Sequence, residues 1–176
     1  MARPPGHPVK TLAELELKRI PEDRRLYELD GVGTLRLEGL IWPAATAEAG
    51  QSSWRIERQG FWKRVQRATD AAGTPVGEFK PRGLRGGGPL HWTEQEFELR
   101  RASGWRDRYA LVDGGRELAI LDGKGWGKRP VTITVHDPEA VDPGLLLFAA
   151  YVSRGLAEDK RKAGSGATAG AASAGS

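Results

Sequence analysis

Alternating apolar and polar positions recur in three stretches of this chain, at residues 15–37, 54–79 and 97–121. Each stretch opens on a run in which apolar residues take every second position and mostly charged residues lie between them, namely LELKR, WRIER and FELRR. A period of two is typical of a half-buried β-strand. Because the three runs are spaced about 40 residues apart, the pattern predicts an internal threefold repeat.

Turn residues divide each stretch into further strands. A second strand in each ends on an Asp followed by Gly, a combination that favours a hairpin. These turns lie at 30–33, 70–73 and 113–115. The third strands are predicted at 35–41, 76–80 and 117–121. A fourth strand is clearest at 131–135, so the sequence predicts about twelve antiparallel strands, four in each copy.

The segment Leu145–Val152 breaks the alternation, since every residue in it is apolar. Asp142 is a good N-cap and Pro143 a good first helical residue, so we predict a helix over about 143–161. A helix that is apolar on all sides must be buried on all sides. The predicted fold is therefore mainly β, a closed antiparallel barrel of about twelve strands around a central C-terminal hydrophobic helix.

The composition indicates one domain with polar extensions. Of 176 residues, 11–162 carry the pattern, 1–10 form a Pro-rich lead and 163–176 a Gly/Ala/Ser tail, both expected to be disordered. The chain has no Cys, which excludes disulfides, thiolate metal sites and thiol catalysis. It has no signal-peptide pattern and no apolar run long enough to cross a bilayer, so a soluble cytoplasmic protein is expected, with peripheral association at the membrane as the alternative. A monomer is expected as well.

The formal net charge is +4, and the excess of Lys and Arg falls mainly in the middle of the chain. Arg19, Arg58 and Arg101 occupy the same place in the three copies, after two inward apolar residues, so we expect them at the inner rim of the barrel. There they either pair with carboxylates or carbonyls to close one end, or form an anion site. The most plausible external basic surface consists of Lys63, Arg64, Arg67, Lys80, Arg82 and Arg85.

The six Trp residues allow two interpretations. Trp54, Trp62 and Trp105 fall at repeat positions and favour packing in the core or at the rim. Three others fall in or near loops and are expected to be more exposed: Trp42, Trp92 and Trp126. Trp interleaved with Arg also suits base stacking or a membrane interface.

Motifs for enzymatic chemistry are weak in this sequence. GKGWGKR (123–129) lacks the spacing and the Ser or Thr of a phosphate-binding loop, so a strand-connecting loop is predicted. Glu94, Glu96 and Glu98 favour a solvated strand face over a Ca²⁺ site. The His residues are scattered, with no Gly-x-Ser-x-Gly elbow. We therefore expect a non-enzymatic protein without metal or cofactor.

Three segments in order, FELRRASGWRDRYALVDGGRELAIL, GKGWGKRPVTITV and PGLLLFAAYV, resemble the tubby C-terminal-like superfamily, most closely its small bacterial LURP-one-related members. The resemblance covers about residues 13–160 and implies a twelve-stranded barrel around a central C-terminal helix. Tubby proteins bind phosphoinositide headgroups through basic side chains, so it also implies an anionic lipid ligand. No particular Lys–Arg pair of that family aligns here, and the Cys-rich stretch of the related scramblases is absent.

These observations lead to three functional hypotheses. The first is a binding module for anionic, phosphoinositide-like lipid headgroups at a basic barrel surface. The second is a nucleic-acid-binding protein that uses interleaved Arg and Trp. The third is a protein-interaction scaffold with an ordinary charged surface and an unknown partner.

Overall fold

The computed structural model describes residues 12–39, 44–60, 64–83, 86–102, 107–123 and 130–166. Within these ranges the chain forms twelve β-strands followed by one α-helix. The elements are β1 (Ala13–Arg19), β2 (Leu26–Leu29), β3 (Gly33–Glu38), β4 (Ala44–Ala49), β5 (Ser52–Gln59), β6 (Val65–Asp70), β7 (Pro75–Phe79), β8 (Gly88–Trp92), β9 (Gln95–Arg101), β10 (Arg108–Asp113), β11 (Arg116–Asp122), β12 (Val131–Val135) and α1 (Pro143–Gly166).

The twelve strands form one closed barrel in which each strand pairs with its neighbours in sequence. Every pairing is antiparallel, and β1 pairs with β12 to close the ring, in a register that runs from Ala13 opposite Val135 to Leu17 opposite Val131. Closure leaves no unpaired sheet edge. The predicted fold class is therefore confirmed.

Because all strands run antiparallel in sequence order, their connections alternate between the two ends of the barrel. We call the end where α1 begins the helix-start end. It carries the six turns 30–32, 50–51, 71–74, 93–94, 114–115 and 136–142. We call the opposite end, towards which α1 runs, the helix-exit end.

The apolar part of α1 forms the centre of the barrel. Every residue from Leu145 to Val152 is buried. The helix contacts β4 and β10, which lie on opposite sides of the ring, as well as β3, β7 and β11. Each large apolar side chain buried in this way stabilises the fold by roughly 1.5–3 kcal/mol relative to leaving it in water. The prediction of a helix enclosed by the barrel is confirmed.

The start of α1 is held by Asp142 and an aromatic cluster. Asp142 Oδ1 accepts hydrogen bonds from Leu145 N at 2.9 Å and from Trp92 Nε1 at 3.0 Å, so it caps the helix as predicted. The Trp92 ring stacks on Phe148 at 5.6 Å and meets Trp54 edge-on at 5.7 Å. The prediction that Trp92 is an exposed loop residue was wrong: it ends β8 on the inward face and is 3 % exposed.

The hairpin turns follow their predicted chemistry. Asp70 Oδ1 accepts hydrogen bonds from Ala72 N at 2.9 Å and Thr74 N at 2.8 Å. Gly73 takes a φ of +82°, in the left-handed region that favours glycine. The Asp therefore organises the turn and the Gly permits it.

Some boundaries differ from the prediction. The helix continues to Gly166 instead of about 161, so residues 163–166 are helical and not part of a disordered tail. The strong helix formers of AEDKRKA extend it, and Arg154 and Glu158 form an i,i+4 ion pair at 2.9 Å. The predicted lead (1–10) with residue 11, the part of the predicted tail at 167–176, and residues 40–41 of the predicted third strand lie outside the described residues.

Candidate functional site

The three arginines predicted at the inner rim all lie at the helix-exit end. Arg19 ends β1, Arg101 ends β9 and Arg58 is next to last in β5. Each lies opposite the corresponding residue of the next strand; these partners are Tyr27, Gln66 and Tyr109. The structure therefore brings the same two positions of three hairpins to one rim.

Arg58 binds the helix. Its Nη1 and Nη2 donate to the two carboxylate oxygens of Asp159 at 3.2 and 2.9 Å, and both side chains are largely shielded from water. Arg64, which immediately precedes β6, places Nη1 3.5 Å from the same carboxylate. We call these three residues the Asp159 cluster. Two guanidinium groups share one carboxylate, so the cluster carries a net positive charge.

A second ion pair joins α1 to the start of β10. Lys160 Nζ donates to Asp107 Oδ1 at 2.8 Å, and the Asp107 side chain is only 3 % exposed. Nearby, the pKa of Tyr109 is raised to about 12, mainly by burial and in second place by the negative charge of Asp107. The positive charge of Arg101 acts in the opposite direction and lowers this pKa. The rim therefore combines buried polar groups with exposed cations.

Arg19 differs from Arg58, since no carboxylate of the described residues pairs with it. It is half-buried and forms no ion pair within the described part of the chain. Of the two alternatives predicted for the rim arginines, Arg58 shows pairing with a carboxylate, that of Asp159 on the helix, and an anion site at the rim stays a prediction.

The described residues of the predicted external basic surface that lie along β6, β7 and the β7–β8 connection are paired with acidic side chains. Arg67 Nη2 and Lys80 Nζ each lie 2.6 Å from a different oxygen of Glu78. Hydrogen bonds from Lys80 and then Arg67 hold the pKa of Glu78 below its usual range. Arg82 Nη1 lies 3.5 Å from Glu98. This wall therefore carries cations and carboxylates in alternation, not one block of positive charge.

Several predicted site residues lie outside the described residues. They include two members of the external basic surface and four of the Trp residues, namely Lys63, Arg85, Trp42, Trp62, Trp105 and Trp126. Most of the GKGWGKR segment, at 124–129, is also outside them. The described members of the predicted site are Arg19, Arg58, Arg64, Arg67, Lys80, Arg82 and Arg101.

The two ends of the barrel differ in charge. The described connections of the helix-exit end contain five cations and three acidic residues, namely Arg24, Arg25, Arg64, Lys80 and Arg82 with Glu22, Asp23 and Asp107. The six turns of the helix-start end, all of them described, contain no Lys or Arg; their acidic residues are Asp30, Glu94, Asp137, Glu139 and Asp142. The uneven distribution of Lys and Arg along the sequence thus corresponds to a difference in charge between the described connections at the two ends of the barrel.

The row of glutamates around β9 behaves as a solvated surface. Glu96 is exposed and Glu98 half-buried on the outer face, while Phe97 and Leu99 point inward and are buried. Glu94 lies in the preceding turn, not on the strand. Among the residues the structure describes, no group of three or more His, Cys, Asp or Glu side chains is arranged to hold a metal ion.

Sequence reasoning missed the acidic and amide groups that organise the rim. Asp159 and Asp107 were not singled out, although Asp159 lies on the charged helical stretch after Arg154. Gln66 is 4 % exposed, and its Oε1 has no hydrogen-bond partner within the described ranges. The strand alternation does point Gln66 inward, and this signal was available.

The geometry defines a closed up-and-down β-barrel with a helix inside and a cation-rich rim. Comparison with models of protein families, with curated proteins and with solved structures finds no match to this chain. The tubby-like resemblance accordingly stays a prediction. Among the described residues no helix is long and apolar enough to cross a membrane.

Proposed function

We propose that this barrel is a non-catalytic binding module whose helix-exit end binds phosphate-bearing anions, and that its ligands are the headgroups of acidic membrane lipids. One observation carries the proposal: the described connections of the helix-exit end hold five Lys and Arg residues against three acidic ones, whereas the six turns of the helix-start end hold five acidic residues and no Lys or Arg. A surface polarised in this way orients the molecule towards an anionic layer.

Three cations at this end are suited to contact such a ligand. The side chain of Arg64 is 51 % exposed and shares its carboxylate with Arg58. Arg19 has no ion pair among the described residues, and Arg161 is exposed on the emerging helix. Each Lys or Arg held near an anionic bilayer contributes about 1 kcal/mol, or about fivefold in affinity. The paired residues Arg67 and Lys80 contribute less, because a lipid phosphate must compete with Glu78.

The first test is sedimentation of the full chain with vesicles of phosphatidylcholine alone, of phosphatidylcholine with phosphatidylserine, and of phosphatidylcholine with a phosphoinositide at equal net charge. We expect binding to both anionic vesicles that weakens as salt rises, because exposed charges are screened. Equal binding to neutral and anionic vesicles at low salt would contradict the proposal. A preference for the phosphoinositide at equal charge would identify phosphate recognition.

Matched variants locate the contact. The double change Arg64→Gln and Arg82→Gln removes two charges at the helix-exit end and should lower vesicle affinity by about fivefold per charge. Arg116→Gln removes a charge from the exposed first residue of β11 at the other end and should leave binding unchanged. Equal losses would show that only net charge matters. Salt-sensitive binding to single-stranded nucleic acid without vesicle binding would favour the nucleic-acid hypothesis instead.

A further inference from the structure

A cleft of about 640 Å³ opens at the helix-start end, remote from the proposed lipid-binding rim. It lies between the β8–β9 turn and the segment that leads into α1, and its lining includes Trp92, Thr93, Glu94, Phe97, Asp142 and Leu145. Its volume falls within the range of small-molecule sites, about 300–1,000 Å³.

The apolar side of the cleft is rigidly built. Trp92 is fixed by its hydrogen bond to Asp142 at 3.0 Å and by its stacking on Phe148 at 5.6 Å. Phe97 and Leu145 are likewise buried in the core. A wall whose side chains are already ordered loses little conformational entropy when it receives a ligand.

The polar side of the cleft is acidic and not neutralised. Glu94 is exposed and forms no ion pair with any described residue. Asp142 accepts both of its hydrogen bonds on Oδ1, which leaves Oδ2 without a bond in the described part of the chain. None of the six turns at this end contains Lys or Arg, so these turns provide no positive charge to neutralise the two carboxylates.

The residue between these two sides is held in an unfavourable conformation. Thr93 has a φ of +53°, which is rare for a β-branched residue and costs about 1–3 kcal/mol. Its amide donates to Val76 O at 2.6 Å and its hydroxyl donates to Trp92 O at 2.7 Å. These bonds fix the backbone of the turn that carries Glu94, so its side chain starts from a defined point beside the cleft.

We propose that this cleft binds a small organic cation, a protonated amine or guanidinium joined to an apolar or aromatic group. The cation is placed against the Glu94 carboxylate and the unbonded Asp142 oxygen, and the apolar group against the side formed by Trp92, Phe97 and Leu145. A free amine and a Lys side chain of a peptide share this chemistry, and the experiment separates them.

The experiment follows the amide and indole N–H resonances of the full ¹⁵N-labelled chain during titration with phenethylamine. The matched ligands are 2-phenylethanol, which lacks the charge, 3-phenylpropionate, which reverses it, and a short end-capped peptide that contains one Lys with its side-chain ammonium free. We expect the amine to shift the Thr93 and Glu94 amides and the Trp92 indole, with an affinity about tenfold above that of the alcohol. Stronger binding of the peptide than of the amine would assign the site to Lys side chains.

Two variants decide whether Glu94 acts as proposed. Glu94→Gln should reduce the preference for amine over alcohol to about twofold or less, whereas Asp113→Asn, an equal loss of charge at the end of β10 on the same side of the barrel, should preserve it. Equal shifts by amine and alcohol, shifts confined to other residues, or a preference that survives Glu94→Gln would overturn the proposal. None of these results depends on vesicle binding at the other end.

Discussion

Asp159 ties the helix to the wall at the helix-exit end, next to the ion pair between Lys160 and Asp107. It receives two bonds from Arg58 on β5 and one ion pair from Arg64 before β6. The carboxylate is only 16 % exposed and the Arg58 side chain only 21 %. If Asp159 were removed, little water could therefore reach Arg58 to take its place as hydrogen-bond acceptor. Removing one member of a shielded, hydrogen-bonded charge pair costs more than removing an exposed one.

We therefore expect Asp159→Asn to lower the free energy of unfolding by about 1.5–3 kcal/mol, since Arg58 loses its charged acceptor. Urea unfolding followed by circular dichroism measures the change. Glu98→Gln is the matched control, because Glu98 meets Arg82 and Arg100 at 3.5 and 3.8 Å on the exposed wall. It should cost at most about 1 kcal/mol. Equal losses in the two variants would show that the Asp159 cluster is no stronger than a surface pair.

The sequence predicted where Arg58 lies but not what it binds. Strand alternation placed it on the inner face after Trp54 and Ile56, and the structure agrees. Its partner Asp159 is 101 residues away in the chain. The depth and the rotation of α1 within the barrel decide which helical carboxylate reaches this arginine, and no local pattern encodes either of them.

At the level of elements, the first turn of α1 is tightly packed against the wall. A Cβ on Gly144 would lie 2.5 Å from Trp92 and 2.8 Å from Trp54. Both are ring atoms of side chains fixed in the core cluster, so they have little room to shift. Gly144 is therefore required for the close approach of helix and wall.

The expected result is that Gly144→Ala destabilises the protein by about 1–3 kcal/mol through overpacking, despite the better helix propensity of Ala. Gly164→Ala, in the same helix where a Cβ would meet nothing within 4 Å, should instead stabilise by up to about 1 kcal/mol. Thermal unfolding of both variants provides the comparison. A neutral Gly144→Ala would mean that the start of the helix adjusts freely.

Elements differ in how well the sequence predicted them. β12, Val131–Val135, has the predicted bounds because VTITV alternates strictly and is β-branched throughout. β4, Ala44–Ala49, has the sequence AATAEA and carries almost no strand signal. Its inward residues Ala45 and Ala47 are fully buried on a strand that contacts α1. Small side chains allow the helix to approach there, so packing against the helix, not strand propensity, accounts for this strand.

At the level of the whole molecule, the closed wall isolates two tyrosines from water. Burial raises the pKa of Tyr109 and of Tyr151 to about 12, from an ordinary value near 10. The folded protein therefore binds these protons more tightly than the unfolded chain does. The resulting stability is fully present below about pH 10 and is lost as the pH rises towards 12.

The stability of the protein should consequently fall steeply between about pH 10 and 12, by roughly 2–3 kcal/mol for each of the two tyrosines. The urea midpoint measured across this range, together with tyrosinate absorbance, follows the effect. Tyr151→Phe and Tyr109→Phe should each remove their own part of the decline. If stability falls just as much between pH 10 and 12 in both variants, the fall must be assigned to other groups, of which the lysines are the first candidates.

The pairing of β1 with β12 has a consequence for folding during synthesis on the ribosome. Ala13 must find Val135, so the sheet cannot close until nearly all of the chain exists. At about 5–20 residues per second, the ribosome needs on the order of ten seconds to pass from β1 to the end of Leu145–Val152. Throughout that time β1 offers an open edge and the inward side chains have no helix to cover them. The finished barrel has no unpaired edge, but the growing sheet does. It is therefore during synthesis that the protein is most open to pairing with other chains and most needs protection from aggregation.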